Sequence, residues 1–315
     1  MTKTISLSEC AAFLRGRDTL YILTHKRPDG DTLGSAAALC HALRRLGKTA
    51  FVLPNAQLTE TYEPFLRPYL CDDFPAGGTI VSVDVATERL FPDGFLGGVE
   101  LAIDHHPTNS GFAALTCCNG DKASCGEIIL ELLDGLCGGP DREEAELLYI
   151  AVSTDTGCFV YANVTAETHE AAARLICAGA DIRPLNKLFF RTVSHSRILL
   201  ESYIYGAMRR YRDGEINVAL VTLDMIARAG ATESDCEDLA GLPGRIAGSR
   251  VSVTLREMAD GECKISVRSG EDFDSSAVCA LFGGGGHKLA SGCSIYAPLE
   301  DACARIVRAI DERLS

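Results

Sequence analysis

The stretch LYILTHKRPDGDTLG, residues 20–34, is an apolar run followed by a polar turn and the start of an Ala/Leu-rich segment. Residues 20–24 predict a buried strand. Residues 32–46 predict a helix that ends at Gly47, a residue type common at helix C-termini. A strand that passes through a short turn into a helix is the repeating unit of parallel α/β sheets. This stretch therefore favours an α/β fold.

The rest of the first 190 residues repeats this alternation. Further short apolar runs predict strands, and longer periodic segments predict helices. The predicted strands are 49–53, 79–83 and 100–103, and the predicted helices are 125–136, 142–153 and 166–178. Alternating strands and helices indicate a mainly parallel sheet flanked by helices, so we predict one domain over residues 1–190.

The last third of the chain shows a different pattern. Residues 191–212 belong to a segment of mixed helical and basic character, which we interpret as a helical linker. After it come predicted strands at 216–223, 250–257, 263–268 and 293–296, with predicted helices starting at about Ser275 and spanning 299–314. This order predicts a smaller α/β domain over residues 213–315.

Composition limits the classes of function. The 315 residues carry a net charge of −13, and no basic stripe of the kind that binds long nucleic acids is visible. A polyanionic substrate should therefore be short. No apolar run has the length of roughly 18–20 residues that a membrane span needs. The first residues also lack a signal-peptide pattern, so we expect a cytoplasmic protein without a membrane partner.

Two clusters of metal-competent side chains follow predicted strands. His25, Asp29 and Asp31 come after the first strand, and Asp104-His105-His106 follows the strand at 100–103. Ligands in open α/β sheets bind at the carboxyl ends of the strands. The alternative for the first cluster is a simple helix cap, provided by Asp31 or Thr32.

Two single aspartates extend these clusters. Asp84 directly follows the apolar run at 79–83, where a buried carboxylate needs a partner. Asp155 lies at the end of an apolar helix. Each could instead be a cap or turn residue, but together with the two clusters they predict a di-metal hydrolase site.

Five segments in order resemble a known family. They are 24–35 (THKRPDGDTLGS), 83–84 (VD), 104–107 (DHHP), 154–157 (TDTG) and 282–292 (FGGGGHKLASG). The set is similar to the DHH phosphoesterase superfamily with its C-terminal DHH-associated domain. Length and domain order resemble the branch of nano-RNases that also remove the 3′-phosphate of adenosine 3′,5′-bisphosphate (pAp). Where this family usually has Ala-Ala-Gly, the chain has Ala290-Ser291-Gly292, a small-for-small change.

The resemblance implies roles for the clustered residues. Two divalent ions, most simply Mn²⁺, would be bound: one by His25, Asp29 and Asp84, the other by Asp31, Asp84, His105 and Asp155. Asp84 would bridge them. Asp104 would orient a metal ligand, and His106 would face the scissile phosphate. A hydroxide shared by the two metals would attack phosphorus.

The resemblance also implies a substrate-binding role for the second domain. Arg268 ends a predicted strand and could contact a phosphate in a bidentate manner. Gly284, Gly285 and Gly286 would let the backbone approach the substrate, and His287 could donate to it. An ordinary surface salt bridge and a flexible loop are the respective alternatives.

The leading hypothesis is a phosphodiesterase that degrades very short oligoribonucleotides to mononucleotides and converts pAp to AMP. Nucleotide bisphosphates would thus be substrates too. Three alternatives stay open: hydrolysis of cyclic or linear dinucleotides, a single-strand DNA exonuclease of the RecJ type, and a non-enzymatic nucleotide-binding regulator. The sequence leaves the oligomeric state open, with a homodimer among the alternatives.

Overall fold

The computed structural model describes residues 2–73, 77–237 and 239–314. The chain forms two compact units, Met1–Thr192 and Val193–Ser315. Among the residues in these ranges, no helix combines the length and apolar composition needed to cross a membrane.

The first unit alternates strands with helices over most of its length. Its strands are β1 (Lys3–Thr4), β2 (Thr19–Leu23), β3 (Thr49–Val52), β4 (Thr79–Val83), β5 (Leu101–Asp104) and β6 (Leu115–Cys118). Its helices are α1 (Leu7–Arg15), α2 (Gly30–Arg45), α3 (Glu63–Leu66), α4 (Cys125–Cys137), α5 (Arg142–Asp155), α6 (Ala166–Cys177) and α7 (Ile182–Phe190).

The first sheet is parallel throughout and has the order β1-β6-β5-β4-β2-β3. The predicted α/β class with a mainly parallel sheet is confirmed. The sequence did not reveal β1 and β6, which pair with each other at the sheet edge. Strands β5, β4 and β2 are adjacent and parallel, so their carboxyl ends lie side by side at the same edge of the sheet.

Side chains alternate between the two faces of this sheet, as the pleat requires. Leu20 and Ile22 of β2 belong to a large core shared with the apolar faces of α2, α4 and α5. Leu23 points to a smaller cluster with Val99 and Ala113. Both faces of the central strands are therefore buried, which makes their ends the accessible part.

Helices α2 and α5 approach each other closely at Gly34. A Cβ atom at this position would lie 2.4 Å from the carbonyl oxygen of Leu147, so only glycine fits without displacing the α5 backbone. The approach brings the N-terminal end of α2 to the C-terminal end of α5. Asp155, the last residue of α5, is thereby placed among residues that follow the strands.

The second unit is built on another six-stranded sheet, with the order β11-β12-β10-β9-β8-β7. All its pairings are antiparallel except the parallel pair β8–β9. Its strands are β7 (Arg209–Tyr211), β8 (Ile216–Val221), β9 (Val251–Glu257), β10 (Glu262–Ser269), β11 (Gly285–His287) and β12 (Ala290–Tyr296). Its helices are α8 (His195–Gly206), α9 (Leu223–Ala229), α10 (Ser275–Ala280) and α11 (Leu299–Asp311).

Residues 191–212, interpreted from sequence as a helical linker, contain α8 and β7. Leu200 and Ile204 of α8 are fully buried and pack with Ala219 and Val221 of β8. Since β7 is also a strand of the second sheet, most of this segment packs within the second unit.

Candidate active site

His25 lies two residues beyond β2, and its ring is oriented by the backbone. The Nδ1 atom contacts the Lys26 carbonyl oxygen at 2.9 Å, and Asn55 donates to the carbonyl of His25 itself at 2.9 Å. The Nε2 atom is therefore left to face the carboxylates. It lies 3.5 Å from Asp29 Oδ1 and 3.5 Å from Asp84 Oδ2.

Asp29 is the residue that caps helix α2. Its Oδ1 accepts from the backbone N–H groups of Asp31 and Thr32, at 3.1 and 3.2 Å. The sequence had suggested Asp31 or Thr32 as the cap, and this was wrong by two or three residues. Capping and ligation are compatible here, because a carboxylate has more acceptor sites than the cap uses.

Asp31 is buried and held at the N-terminus of another helix. Its carboxylate accepts from the backbone N–H groups of Cys125 and Gly126, at 2.7 and 2.9 Å, and from Ser35 Oγ at 3.1 Å. The first turn of α4 thus stabilises a negative charge at this position. The side chain of Asp31 is set by contacts from two different helices.

Asp84 directly follows β4 in the left-handed backbone region, with φ of 60°. Its N–H donates to the Ile103 carbonyl oxygen at 2.9 Å, and Thr32 Oγ1 donates to the preceding carbonyl, that of Val83, at 2.8 Å. The turn directs the two carboxylate oxygens to different neighbours. Oδ2 lies 3.5 Å from His25 Nε2, and Oδ1 lies 3.4 Å from His105 Nε2.

His105 faces the second half of the cluster. Its Nδ1 contacts the Lys122 carbonyl oxygen at 3.2 Å, so Nε2 again faces carboxylates. That atom lies 3.8 Å from Asp31 Oδ2 and 3.7 Å from Asp155 Oδ2, in addition to its contact with Asp84. Asp155 therefore joins the cluster although it comes from a helix end and not from a strand end.

Asp104 contacts both histidines that follow it, in different ways. Its Oδ1 accepts from the backbone N–H of His105 at 2.8 Å and from His106 Nδ1 at 2.8 Å. The prediction had Asp104 orient a metal ligand, yet the ring it holds is that of His106. The ring of His105 is oriented by Lys122 instead. On the other carboxylate oxygen of Asp104, Asn109 donates at 2.6 Å.

The electrostatics of the cluster favour bound cations. Burial, together with the charges of Asp84 and Asp155, raises the pKa of Asp31 well above its usual range. Burial opposes a charged His25, but hydrogen bonds and charges from Asp29 and Asp84 outweigh it and raise the pKa of His25 to about 11. Carboxylates this crowded resist ionisation unless positive charge is near.

Two observations show that the clustered side chains suit divalent metal ions. Oδ1 of Asp84 is buried and has no hydrogen-bond partner among the described residues, and such an atom is costly unless something binds it. Both imidazoles present Nε2 while Nδ1 is tied to a carbonyl, the arrangement usual for metal-binding histidines. Among the described residues, four groups of three donors have all ligand atoms within 4.8 Å of one another: His25-Asp29-Asp84, Asp31-His105-Asp155 and Asp84-His105-His106 in this cluster, and His41-Asp141-Glu144 outside it.

In the second unit, two predicted substrate residues occupy one cross-strand row. Arg268 of β10 pairs with Ala290 of β12, and Ala290 pairs with His287 of β11. Directly paired residues project from the same face of a sheet, so Arg268 and His287 flank the small Ala290 side chain. Both are exposed. The row presents two hydrogen-bond donors, one of them permanently charged, on either side of the Ala290 side chain.

The glycine run is an edge hairpin, not an irregular loop. Gly285 and Gly286 belong to β11 and pair with Gly292 and Ser291 of β12. Gly284, just before β11, donates to the Cys279 carbonyl oxygen at 3.0 Å. The run is thus anchored to α10 and β12, and in the part of the chain that the structure describes its outer edge pairs with no further strand.

The profile of the DHH family N-terminal domain matches residues 19–152, and that of the DHHA1 domain matches residues 215–315. A bifunctional oligoribonuclease and PAP phosphatase of Thermus thermophilus is 32% identical over 300 residues, covering 94% of this chain and 90% of the relative. The chain belongs to the DHH family.

Two further proteins resemble the chain over nearly their full length. A bifunctional oligoribonuclease and PAP phosphatase of Bacillus subtilis is 30% identical, and the match covers 89% of this chain and 90% of the Bacillus protein. The crystal structure of an exopolyphosphatase-related protein from Bacteroides fragilis superposes with a TM-score of 0.87 at 25% identity, covering 97% and 95% of the two chains. DHH enzymes are metal-dependent hydrolases that use divalent ions, and the acidic and histidine clusters described above suit such ions.

From the sequence we did not identify the residues that position the clustered histidine and aspartate side chains. Asn55, Asn109 and Ser35 donate to cluster residues, and the carbonyl of Lys122 orients His105. Asn109, five residues after Asp104, had a local signal, since an amide in a turn beside an acidic residue can bond to it. Ser35, four residues after Asp31 on the same helix, also had one, whereas Asn55 and Lys122 act across distances in the chain that no spacing rule reaches.

Proposed function

We propose that the chain is a metal-dependent phosphodiesterase that hydrolyses very short oligoribonucleotides to mononucleotides and removes the 3′-phosphate of pAp to give AMP. The observation that carries this proposal is the match, over about nine-tenths of both chains, to relatives described as bifunctional oligoribonucleases and PAP phosphatases. The net charge of −13 agrees with a short substrate, because it offers no extended electrostatic track for a long polyanion.

The proposal assigns two metal ions. His25, Asp29 and Asp84 would hold one, and Asp31, Asp84, His105 and Asp155 would hold the other. The two directions in which the Asp84 oxygens face support the bridging role. Each ion would have one imidazole among its ligands, and for this reason we propose Mn²⁺ over Mg²⁺, which prefers oxygen ligands alone.

Divalent ions in such a site lower the pKa of water and offset charge on phosphoryl oxygens. The chain itself supplies a placed proton donor. Since Nδ1 of His106 donates to Asp104, its Nε2 is free to face the phosphate, and the hydrogen bond to Asp104 raises the pKa of His106. A protonated His106 would stabilise negative charge that develops on a phosphoryl oxygen.

Substrate recognition is assigned to the second unit. Arg268 and His287 would contact a phosphate of the nucleotide, on either side of Ala290. The outer edge of the strand that contains Gly285 and Gly286 would offer backbone N–H groups at close range, and Gly284, whose own N–H is bonded to Cys279, would let the backbone approach the substrate. These groups would contact the substrate directly and not through the metal ions.

One experiment tests the activity. Initial rates would be measured with Mn²⁺ on di- to pentaribonucleotides, pAp, cyclic di-AMP, pyrophosphate and single-stranded DNA. The proposal expects the short ribonucleotides and pAp to be the best substrates. A clear preference for cyclic di-AMP, pyrophosphate or long DNA would overturn it and favour another DHH activity.

A second experiment tests the metal assignment. Protein stripped with a chelator would be reloaded with Mn²⁺ or Mg²⁺, and both the rate and the melting temperature would be recorded. Ions that bind only the folded protein raise its stability, by roughly 2.7 kcal/mol at a concentration 100 times the dissociation constant. Stronger stabilisation and faster turnover with Mg²⁺ would contradict the choice of Mn²⁺.

A further inference from the structure

The segment after Asp155 has an unusual backbone. Gly157, Cys158 and Phe159 have φ angles of 55°, 58° and 66°, so three consecutive residues lie in the left-handed region. Residues other than glycine adopt this conformation only at a cost in free energy, and normally one at a time. A run of three that follows a candidate metal ligand needs a reason.

The surrounding contacts hold this turn in place. The Thr156 carbonyl oxygen accepts from the N–H groups of Val160 and Tyr161, at 2.9 and 3.1 Å. The Phe159 ring packs inward against Tyr149 and stacks on His169, with centroid distances of 6.0 and 5.5 Å. The turn is therefore determined by its own packing and does not depend on a partner.

The turn projects two apolar side chains into solvent. Val160 is 79% exposed and Tyr161 is 60% exposed. The Tyr161 ring lies directly against Gly157. A Cβ atom added at residue 157 would lie only 2.4 Å from the ring. Asn163 then donates to the Asp155 carbonyl oxygen at 3.1 Å. The contact of Tyr161 with Gly157 and the hydrogen bond from Asn163 to Asp155 therefore keep the exposed ring close to Asp155.

We propose that Tyr161 forms a stacking platform for the base of the nucleotide whose phosphate lies at the metal cluster. This inference rests on the proposed function. An aromatic ring binds any base by its face, without a charge and without reading sequence, which suits an acidic enzyme acting on short substrates of mixed sequence. The patch of two side chains is far smaller than the roughly 800 Å² per partner of a stable protein interface.

The chain contains no tryptophan, which gives a direct binding assay. Tyr161→Trp would place a single indole at the platform, and Tyr296→Trp, at a tyrosine 72% exposed in the second unit, would serve as the matched control. With Mn²⁺ present at a constant concentration, titration with AMP should quench the indole fluorescence of the Tyr161→Trp variant through stacking. The fluorescence of the Tyr296→Trp variant should stay unchanged. Equal responses of the two proteins, or none, would overturn the proposal.

Inhibition constants separate stacking from general damage. Tyr161→Ala should weaken inhibition by AMP about 10-fold, while inhibition by ribose 5-phosphate, which has no base, should stay the same. Tyr161→Phe should behave like the parent. Equal weakening of both inhibitors would argue for a structural role. A changed oligomeric state with unchanged AMP inhibition would identify the patch as a self-association surface. Both outcomes would reject the platform.

The two proposals fail in different ways. If the parent protein does not cleave short ribonucleotides but AMP still quenches the Tyr161→Trp variant, the proposed substrate is wrong and the base platform stands. If the parent cleaves them and AMP leaves the fluorescence of that variant unchanged, the platform is wrong and the proposed function stands.

Discussion

The cluster of candidate metal ligands in the first unit and the cross-strand row of the second are built in opposite ways. Asp31, Asp84 and Asp104 are at most 3% exposed, and helix termini, backbone groups and neighbouring side chains hold them. Arg268 on β10 and His287 on the edge strand β11 are exposed, and the Arg268 guanidinium contacts only the adjacent Val267 carbonyl among the hydrogen bonds of the described residues.

The difference indicates a division of tasks. Groups that act on the reacting bond need a fixed geometry before the substrate arrives, since preorganised charge acts without reorganisation. Groups that hold a substrate can adapt to it, at the cost of ordering their side chains on binding. If this comparison is right, changes in the first region should reduce kcat, and changes in the second should raise KM.

The largest effect is expected for Asp84→Asn. Asparagine tolerates the left-handed backbone at this position but removes the charge between the two groups of ligands. We expect kcat on a diribonucleotide with Mn²⁺ to fall at least about 1000-fold. Asp93→Asn, at an exposed loop residue, is the matched control and should keep the parent rate. Retention of more than a tenth of the activity would contradict the bridging role.

A smaller effect on the same step is expected for Asn109→Ala. Asn109 donates to Asp104 Oδ2 at 2.6 Å and to the Val85 carbonyl oxygen, so its loss should loosen the support of His106. We expect kcat to fall about 10- to 100-fold with little change in KM. Asn119→Ala, at an exposed turn, controls for loss of an amide. A rise in KM alone would place Asn109 in the binding function instead.

Substitutions in the cross-strand row of the second unit should change KM and not kcat. Arg268→Ala or His287→Ala should raise KM about 10-fold, because each would remove one hydrogen bond to a charged phosphate. Binding of Mn²⁺, followed by the shift in melting temperature, should not change. Arg183→Ala removes a cation whose side chain is 91% exposed and is the matched control. Unchanged KM in both variants would show that this cross-strand row does not hold the substrate.

The smallest effect concerns substrate length and salt. Without an extended basic path, kcat/KM should decline as the oligonucleotide grows beyond a few residues. The logarithm of KM should also rise with the logarithm of salt concentration with a slope no larger than about 2, the value for two or three phosphate contacts. Initial rates on a length series at several salt concentrations measure both quantities. Fast cleavage of a long strand, with a steep salt slope, would contradict this expectation.

Much of the fold could be predicted because its elements are short and strongly patterned. The strand predicted at 79–83 is observed as Thr79–Val83, and the helix predicted at 142–153 extends only two residues further. β1 escaped prediction because two residues carry no periodicity, and it is a strand only through its pairing with β6. The same is true of β7, a three-residue strand in a segment that looked like a linker.

For the site, the sequence indicated which side chains follow strands, and the adjacency of β5, β4 and β2 explains why they meet. Their roles as ligands stay predictions. The position of Asp155 depends on the close packing of α2 on α5 at Gly34, a tertiary contact that spacing alone does not encode. The sequence also did not show which histidine ring Asp104 contacts, because consecutive histidines differ only in where their rings point.

The left-handed conformation of Asp84 limits how this enzyme could be adapted to another metal. Few residue types accept such a backbone, and the proposed bridging role requires a carboxylate, which narrows the choice to aspartate. Directed evolution of metal preference would thus have to work through the ligands on either side, such as Asp29 on its helix cap or Asp155 at the end of α5. A library that varies those two positions and leaves residue 84 untouched should contain most of the accessible functional variants.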